Sequence, residues 1–427
     1  MKTLSTKKES ITALIKRLRR ARSKRSDVED SVRRIVDDVR RRGDRALIDL
    51  TKKFDGVALK RLRVSEAEIR TAYRIESRDV VRALKSARAA IAKFHAQNVK
   101  REKAVETQKG VRVWREFRPI ENVGLYVPGG KAAYPSTVLM LGVPAKLAGC
   151  KEVVLCVPPD RSGKVPSAVL VAADLCGISK IFKVGGAQAI AALAYGTKTI
   201  PKVSKIFGPG NQYVTTAKMQ VFGEVDIDMP AGPSEVLVLA DASANPAWVA
   251  ADLLSQLEHG EDSQAILVTP DAKFAADVVK NVNEQVKTLS RGAIIGKSLK
   301  RSFAVVVKSI DEACRFINEY APEHLEIVLK KNEAKVLKKI ENAGSIFLGP
   351  YASEPLGDYA TGANHTLPTS GFAKMFSALS VESFGKKMQI QRVSKRGIAN
   401  LRKTVETLAD REGLDAHKRA VGIRFKK

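Results

Sequence analysis

No apolar run in this sequence approaches the roughly 20 residues that a membrane-spanning helix requires, which excludes a helical membrane protein. The chain has no low-complexity linker and no short-period repeat, so a solenoid or a tethered array is also excluded. Cysteine is sparse. Cys150, Cys156, Cys176 and Cys314 show no CxxC spacing, and three of them lie inside apolar runs, so buried, reduced thiols are expected rather than a disulfide framework. A cysteine nucleophile is the sharper alternative, although no histidine stands beside any of the four. Met1 to Arg25 lacks both an apolar block and a small-residue cleavage pattern, which argues against a secretory signal. Its Arg-rich start imitates an organellar transit peptide, but Glu9 and the early helical patterning oppose that reading, and a cytoplasmic protein is expected.

Acidic residues are also in short supply, 46 against 74 Lys and Arg, for a formal charge of +28. Such an excess invites a nucleic-acid hypothesis, because clustered cations drive phosphate binding. Position matters more than total. Residues 1–120 carry 35 Lys and Arg against 16 Asp and Glu, +19 of the +28, and these charges lie on helical patterns. In the run from Val32 to Arg42, Val32, Ile35, Val36 and Val39 form an apolar stripe and the arginines the outer face. No aromatic interleaving and no nucleic-acid module accompanies the charge, so a solvated surface is expected and nucleic acid is not the expected partner.

At 427 residues, 44% of them apolar and 28% charged, the chain is globular and too long for one core. Ser26 to about Asn98 reads as a helical front, broken by turn signals at Gly43-Asp44 and Phe54-Asp55-Gly56. Short β-rich runs then alternate with helical patterns: Val123-Gly-Leu-Tyr-Val, Glu152-Val-Val-Leu-Cys-Val, Lys180-Ile-Phe-Lys-Val and Lys205-Ile-Phe. A second series follows at Val236, Ala265, Phe303, Leu325 and Ser345. Two parallel α/β units are expected from this alternation. The tail from Ser377 to Lys427 reads as helical and basic.

Histidine, present only five times, is the most informative residue. His95 has no metal-competent company and reads as a surface or core histidine. Gln256 and His259 lie three apart on a helix that should open at Pro246 and close at Gly260, which puts both on one face. Leu253 and Leu257 share that face, so the pair points inward, where a metal could satisfy it. A dipole-stabilised histidine at a helix C-terminus is the plainer alternative. Glu323 and His324 follow Pro322 and precede a β-rich run, which places two proton carriers at a turn into a strand. Between Gly349 and Gly371 a long Gly/Pro/Ser/Thr-rich run holds Asp358, a possible oxygen ligand, and His365. The glycine loops Pro128-Gly-Gly, Gly185-Gly-Ala-Gln and Gly208-Pro-Gly-Asn do not fit G-x-G-x-x-G, but the second and third lead into helical patterns, where backbone amides can bind a diphosphate.

Taken in order, Gly124-Leu-Tyr-Val-Pro-Gly-Gly, Gly185-Gly-Ala-Gln-Ala-Ile, Ile206-Phe-Gly-Pro-Gly-Asn, Asp228-Met-Pro-Ala-Gly-Pro-Ser-Glu-Val, Gln256-Leu-Glu-His-Gly, Ala321-Pro-Glu-His-Leu, Gly357-Asp-Tyr-Ala-Thr-Gly-Ala-Asn-His-Thr and Ala416-His-Lys resemble the histidinol dehydrogenase family from about Ser26 to the end. The resemblance implies an α/β fold of two incomplete Rossmann-like domains with small helical N- and C-terminal pieces, assembled as an intertwined homodimer. On that division residues 1–25 form an N-terminal helical segment, and 26–120 with 236–376 form the first α/β domain. Residues 121–235 form the second, NAD-side domain, and 377–427 a C-terminal helical dimerisation segment.

By the same resemblance Gln256, His259 and Asp358 are zinc ligands from one subunit, and His417 is the fourth, from the other. Tyr126, Gln188 and Asn211 contact NAD. Substrate contacts come from Ser234, His365 and Glu412, together with His324 and the four zinc ligands. Glu323 and His324 are the catalytic pair. His324 takes the alcohol proton and Glu323 activates the water that adds to the aldehyde, a role suited to neutral pH only if burial raises its carboxyl. The implied reaction takes L-histidinol to L-histidine in two oxidations by NAD, the last steps of histidine biosynthesis. A relative acting on another polar alcohol, for example a sulfonated diol, is the alternative, and Glu412 and His365 favour histidinol.

Overall fold

The structure is a computed structural model that describes residues 1–18, 25–98, 102–129, 133–230 and 232–425. Its strands are β1 (Lys2–Ser5), β2 (Val105–Gln108), β3 (Val111–Pro119), β4 (Asn122–Tyr126), β5 (Glu152–Val157), β6 (Lys180–Lys183), β7 (Lys205–Phe207) and β8 (Asp226–Ile227). The second half adds β9 (Glu235–Ala240), β10 (Gln264–Thr269), β11 (Phe303–Val306), β12 (His324–Val328), β13 (Ser345–Leu348) and β14 (Gly385–Val393). They form a five-stranded parallel sheet in the order β6-β5-β4-β7-β8 and a six-stranded parallel sheet in the order β1-β11-β10-β9-β12-β13. A third, antiparallel sheet runs β14-β3-β2. Every strand expected from Val123 onward forms.

Alternation along the strands explains the layers, because successive side chains point to opposite faces. In β5, Leu155 and Val157 enter one buried cluster with the helices Pro135–Ala148 and Ser167–Leu175, while Val154 and Cys156 enter another with Gly186–Tyr195 and Gln212–Val221. The helical front completes both layers. Helix Arg25–Arg42 buries Val32, Ile35, Val36 and Val39 on the second cluster, its arginines outward, as the stripe predicts. Helices Glu66–Ile75, opened by a Ser65/Glu68 capping box, and Arg78–His95 bury Ala72, Leu84 and Ile91 on the first. These helices are apolar toward the 122–227 sheet, and that is where they lie.

Two terminal expectations change. Residues 1–25 do not begin as a helix. Leu4 is buried in β1, which extends the six-stranded sheet beside β11, and only then does helix Ile11–Leu18 bury Leu14, Ile15 and Leu18 against the same sheet. The tail 377–427 is not wholly helical, because Gly385–Val393 pairs along its whole length with β3. Its Lys-Lys-Met-Gln-Ile-Gln-Arg-Val run alternates polar and apolar residues with the period of a strand. Helices Lys395–Arg411 and Asp415–Gly422 then follow. Among the described residues no helix is long and apolar enough to cross a membrane.

Each parallel sheet reverses its strand order once, between β4 and β7 in one and between β9 and β12 in the other. Such reversals open a crevice beside the sheet. The five-stranded sheet offers the carboxyl ends of β4 and β7, where Tyr126 and Gly208 stand. In the six-stranded sheet Glu235 and His324 stand at the opposite edge, where β9 and β12 begin.

Candidate active site

Helix Pro246–Leu257, opened by Asn245 and proline, carries Gln256 fully buried at its end, and His259 follows just beyond. Gln256 Nε2 lies 3.3 Å from His259 Nδ1. The amide's Oε1 is buried without a hydrogen-bond donor, an acceptor left free in a place where water does not reach it. Burial lowers the pKa of His259. Of the two readings left open for this pair, the inward face is the one the structure supports.

His324, 3% exposed, opens β12. Its Nδ1 is 3.1 Å from the Glu235 carbonyl. A carbonyl can only accept, so Nδ1 carries the proton and Nε2 holds the lone pair of the neutral ring. Nε2 faces Glu354 Oε1 and Asp358 Oδ1, each at 3.8 Å. Burial pushes His324 down to about 4, so the ring is neutral at physiological pH. Beside it, Glu323 Oε2 accepts the Glu235 N–H at 2.7 Å and lies 3.8 Å from His324 Nδ1. Burial holds the Glu323 carboxyl well above the ordinary carboxylate range. One residue, Glu235, thus orients both proton carriers through its two backbone groups.

Asp358 lies not in an irregular loop but on the short helix Glu354–Tyr359. His324, Glu354 and Asp358 gather ligand-competent atoms within 4.8 Å of one another. Ser255 donates to Glu354 Oε2 at 3.3 Å, while Glu354 Oε1 is buried without a partner and burial raises this carboxyl to about 9. His365 donates from Nδ1 to the Asp358 carbonyl at 3.2 Å and accepts at Nε2 from Thr137 at 3.2 Å.

Sequence reasoning missed Glu354, and behind it Glu326 and Asp252. The Glu354 N–H donates to Glu326 Oε1 at 2.7 Å, and Ser353 donates to Asp252 at 2.6 Å. The signal was present: Glu326 interrupts the apolar run of a central strand, and Asp252 sits inside an apolar helix. Charges in such places require partners.

On the other sheet Tyr126 ends β4, buried, and its hydroxyl accepts the Gly186 N–H at 3.1 Å. Gln188 is buried in the first turn of helix Gly186–Tyr195. Asn211 caps helix Gln212–Val221, its Oδ1 accepting the N–H groups of Tyr213 and Val214. Ser234 directly precedes β9. Glu412 and His417 are exposed in the single chain, at the end of helix Lys395–Arg411 and on helix Asp415–Gly422, and neither joins the buried group. His95 is a core residue, 1% exposed with both ring nitrogens unpartnered. All four cysteines are free thiols; burial raises them, Cys150 to about 11 and Cys176 to about 12, which leaves no activated thiolate.

A family model described as histidinol dehydrogenase matches residues 18–425. A protein named histidinol dehydrogenase from Bacteroides thetaiotaomicron is 52% identical over 397 residues, 93% of this chain and 92% of its own. One of the same name from Vibrio parahaemolyticus is 51% identical over 405 residues, 94% and 93% of the two chains. The crystal structure of histidinol dehydrogenase from Elizabethkingia anophelis superposes with a TM-score of 0.96 at 48% identity, covering 99% of this chain and 98% of that one.

Proposed function

Because this chain belongs to the histidinol dehydrogenase family, we propose that it oxidises L-histidinol to L-histidine through L-histidinaldehyde, with two NAD and one zinc ion per subunit. The observation that carries the reading is that His324 Nε2 stands 3.8 Å from Asp358, with Glu323 beside the imidazole, and that the charge of Asp358 reaches His259 at the end of the Gln256 helix. Two glycine loops of the other sheet provide amides for a dinucleotide. The two sheets would then be incomplete Rossmann-like domains facing each other across the site.

The donor set suits a divalent cation. Gln256 Oε1 and Glu354 Oε1 are buried acceptors without donors, and an acceptor-rich pocket with no cationic side chain among its named groups is relieved by a metal. Gln256, His259 and Asp358 would hold zinc, with His417 supplied by a second copy, which accounts for a ligand on an exposed terminal arm. When bound, zinc would supply a template for the substrate's amine and imidazole, and NAD, which Tyr126, Gln188 and Asn211 would hold, would supply the hydride acceptor for both oxidations.

His324, with Nδ1–H fixed on Glu235, takes the alcohol proton at Nε2 as the first hydride leaves. Glu323 draws a proton from the water that adds to the aldehyde, and the resulting hydrate loses the second hydride. Ser234, His365 and the second copy's Glu412 hold the substrate's polar groups. The test is NADH formation from L-histidinol before and after chelation and again after zinc is restored. Two NADH per histidinol, lost and regained with the metal, is the expected result. Zinc-loaded protein that yields no NADH from histidinol but does so from another polar alcohol would overturn the substrate.

A further inference from the structure

Lys218 and Asp228 form an ion pair whose side chains are only 3% and 2% exposed. Burying two charges costs several kcal/mol each in desolvation, and an apolar pair of similar volume would often serve stability as well. The bonds of this pair lead to two functional segments. Lys218 Nζ donates to Asp228 Oδ1, to the Gly208 carbonyl at 3.0 Å and to the Met229 carbonyl at 3.3 Å. Asp228 accepts the Gly208 N–H on Oδ2 and the Met229 N–H on Oδ1, both at 2.7 Å. Both backbone polar groups of Gly208 are therefore held by the pair.

Gly208 needs holding. Its φ is +126°, and a Cβ there would stand 2.0 Å from the Tyr126 carbonyl oxygen, so the loop is pressed against the end of β4. Three residues on, Asn211 caps the helix that also carries Lys218. Asp228 sits where the chain leaves the five-stranded sheet, and Glu235, which orients Glu323 and His324, opens the other sheet. We infer that Lys218 and Asp228 are a positioning pair that sets the Gly208–Asn211 loop against Tyr126 for the dinucleotide, and so governs cofactor affinity without touching the cofactor. The inference rests on NAD binding at this loop.

The test uses the zinc-loaded full-length protein and reads NADH binding by fluorescence titration, beside zinc content, L-histidinol binding by calorimetry, and thermal midpoint. Asp228→Asn, which keeps the shape, and Lys218→Met should each bind NADH about ten- to hundredfold more weakly, the range set by losing hydrogen bonds to a charged group. Zinc content and histidinol affinity should stay at wild-type values, with KM for NAD raised and kcat recovered at saturating NAD. The double variant Lys218→Met/Asp228→Leu separates positioning from stability, because apolar replacement of the pair restores the thermal midpoint without restoring the bonds to Gly208. Persisting weak NADH binding in that variant supports the inference. Wild-type NADH affinity in it, or equal losses of histidinol and NADH affinity in the single variants, overturns it. Wild-type protein that fails to bind NADH at all would overturn the cofactor reading, and the inference with it.

Discussion

At the scale of single residues, Glu323 and His324 share one anchor and differ in what they can do. Both meet the backbone of Glu235, yet burial drives the imidazole toward its neutral form and raises the affinity of the Glu323 carboxylate for a proton. On the division proposed above, the neutral imidazole, its lone pair on the cleft side, takes the substrate's hydroxyl proton, and the carboxylate of Glu323 takes a proton only from the water that adds to the aldehyde. His324→Ala should therefore slow both oxidations by about 10²–10⁴-fold, the usual worth of a positioned base, while Glu323→Gln spares histidinol oxidation and slows aldehyde oxidation. Single-turnover traces starting from histidinol and from histidinaldehyde check this, and equal losses in both steps for both variants would refute the division. Asp55 provides a second prediction, about stability. Its Oδ2 is buried without a partner, and burial pushes the carboxyl up to about 6 from 3.8. The folded chain keeps this proton over a range in which the unfolded chain has released it, so the stability involved is present below about pH 4 and lost as pH rises through 6. Asp55→Asn should leave stability at pH 4 unchanged and raise it at pH 7.5 by about 1 kcal/mol, once solvent screening of a half-buried group is discounted. Urea denaturation at the two pH values measures it, and an equal change at both would sink the explanation.

At the scale of elements, nine of the eleven strands of the two parallel sheets were legible because they are short, nearly continuous apolar runs between breaks, the pattern of a strand buried on both faces. The strands that escaped notice, β1, β2, β3, β8 and β14, are edge or ribbon strands, short or interrupted by polar residues. Met388 and Ile390 alternate with polar residues, and their partners Glu116 and Trp114 lie about 270 positions away, so no local signal announces the pairing. The same contrast holds at the site. Gln256, His259, Glu323, His324 and Asp358 stood out as rare or paired polar residues, whereas Glu354, Glu326 and Asp252 gain meaning only when three distant elements pack together. The antiparallel ribbon has a joint that can be tested. Helix Lys395–Arg411 docks on the β2–β3 turn, where the Gly110 carbonyl accepts the Ser394 N–H at 2.9 Å and a Cβ on Gly397 would stand 2.3 Å from that same oxygen. Gly397→Ala should lift the helix from the ribbon at a cost of about 1–3 kcal/mol, the usual penalty of overpacking. Hydrogen exchange should quicken over residues 385–411 and stay unchanged over 122–227. If residues 385–411 exchange as in the wild type, the joint is not tight.

At the scale of the whole molecule, the charge and the exposed terminal arm ask for different explanations. The excess of arginine on helix Arg25–Arg42 lies on its solvent face, and part of it is already paired, Arg42 with Asp38 and Asp49 at 2.5 and 2.7 Å. A solvated surface accounts for it. The arm is another matter, because Glu412 and His417 are exposed while the groups proposed to work with them are buried. An intertwined homodimer, in which each arm completes the other copy's site, reconciles the two facts and makes a quantitative claim. Asp358→Asn and His417→Ala homodimers should each be inactive and short of zinc. Unfolded together in equal amounts and refolded, they form heterodimers as half of the population. In each heterodimer one site collects both defects and the other collects none, so activity and tightly bound zinc should both return to about a quarter of the wild-type value. Were His417 a ligand within its own chain, each site of a heterodimer would still carry one defect and nothing would return.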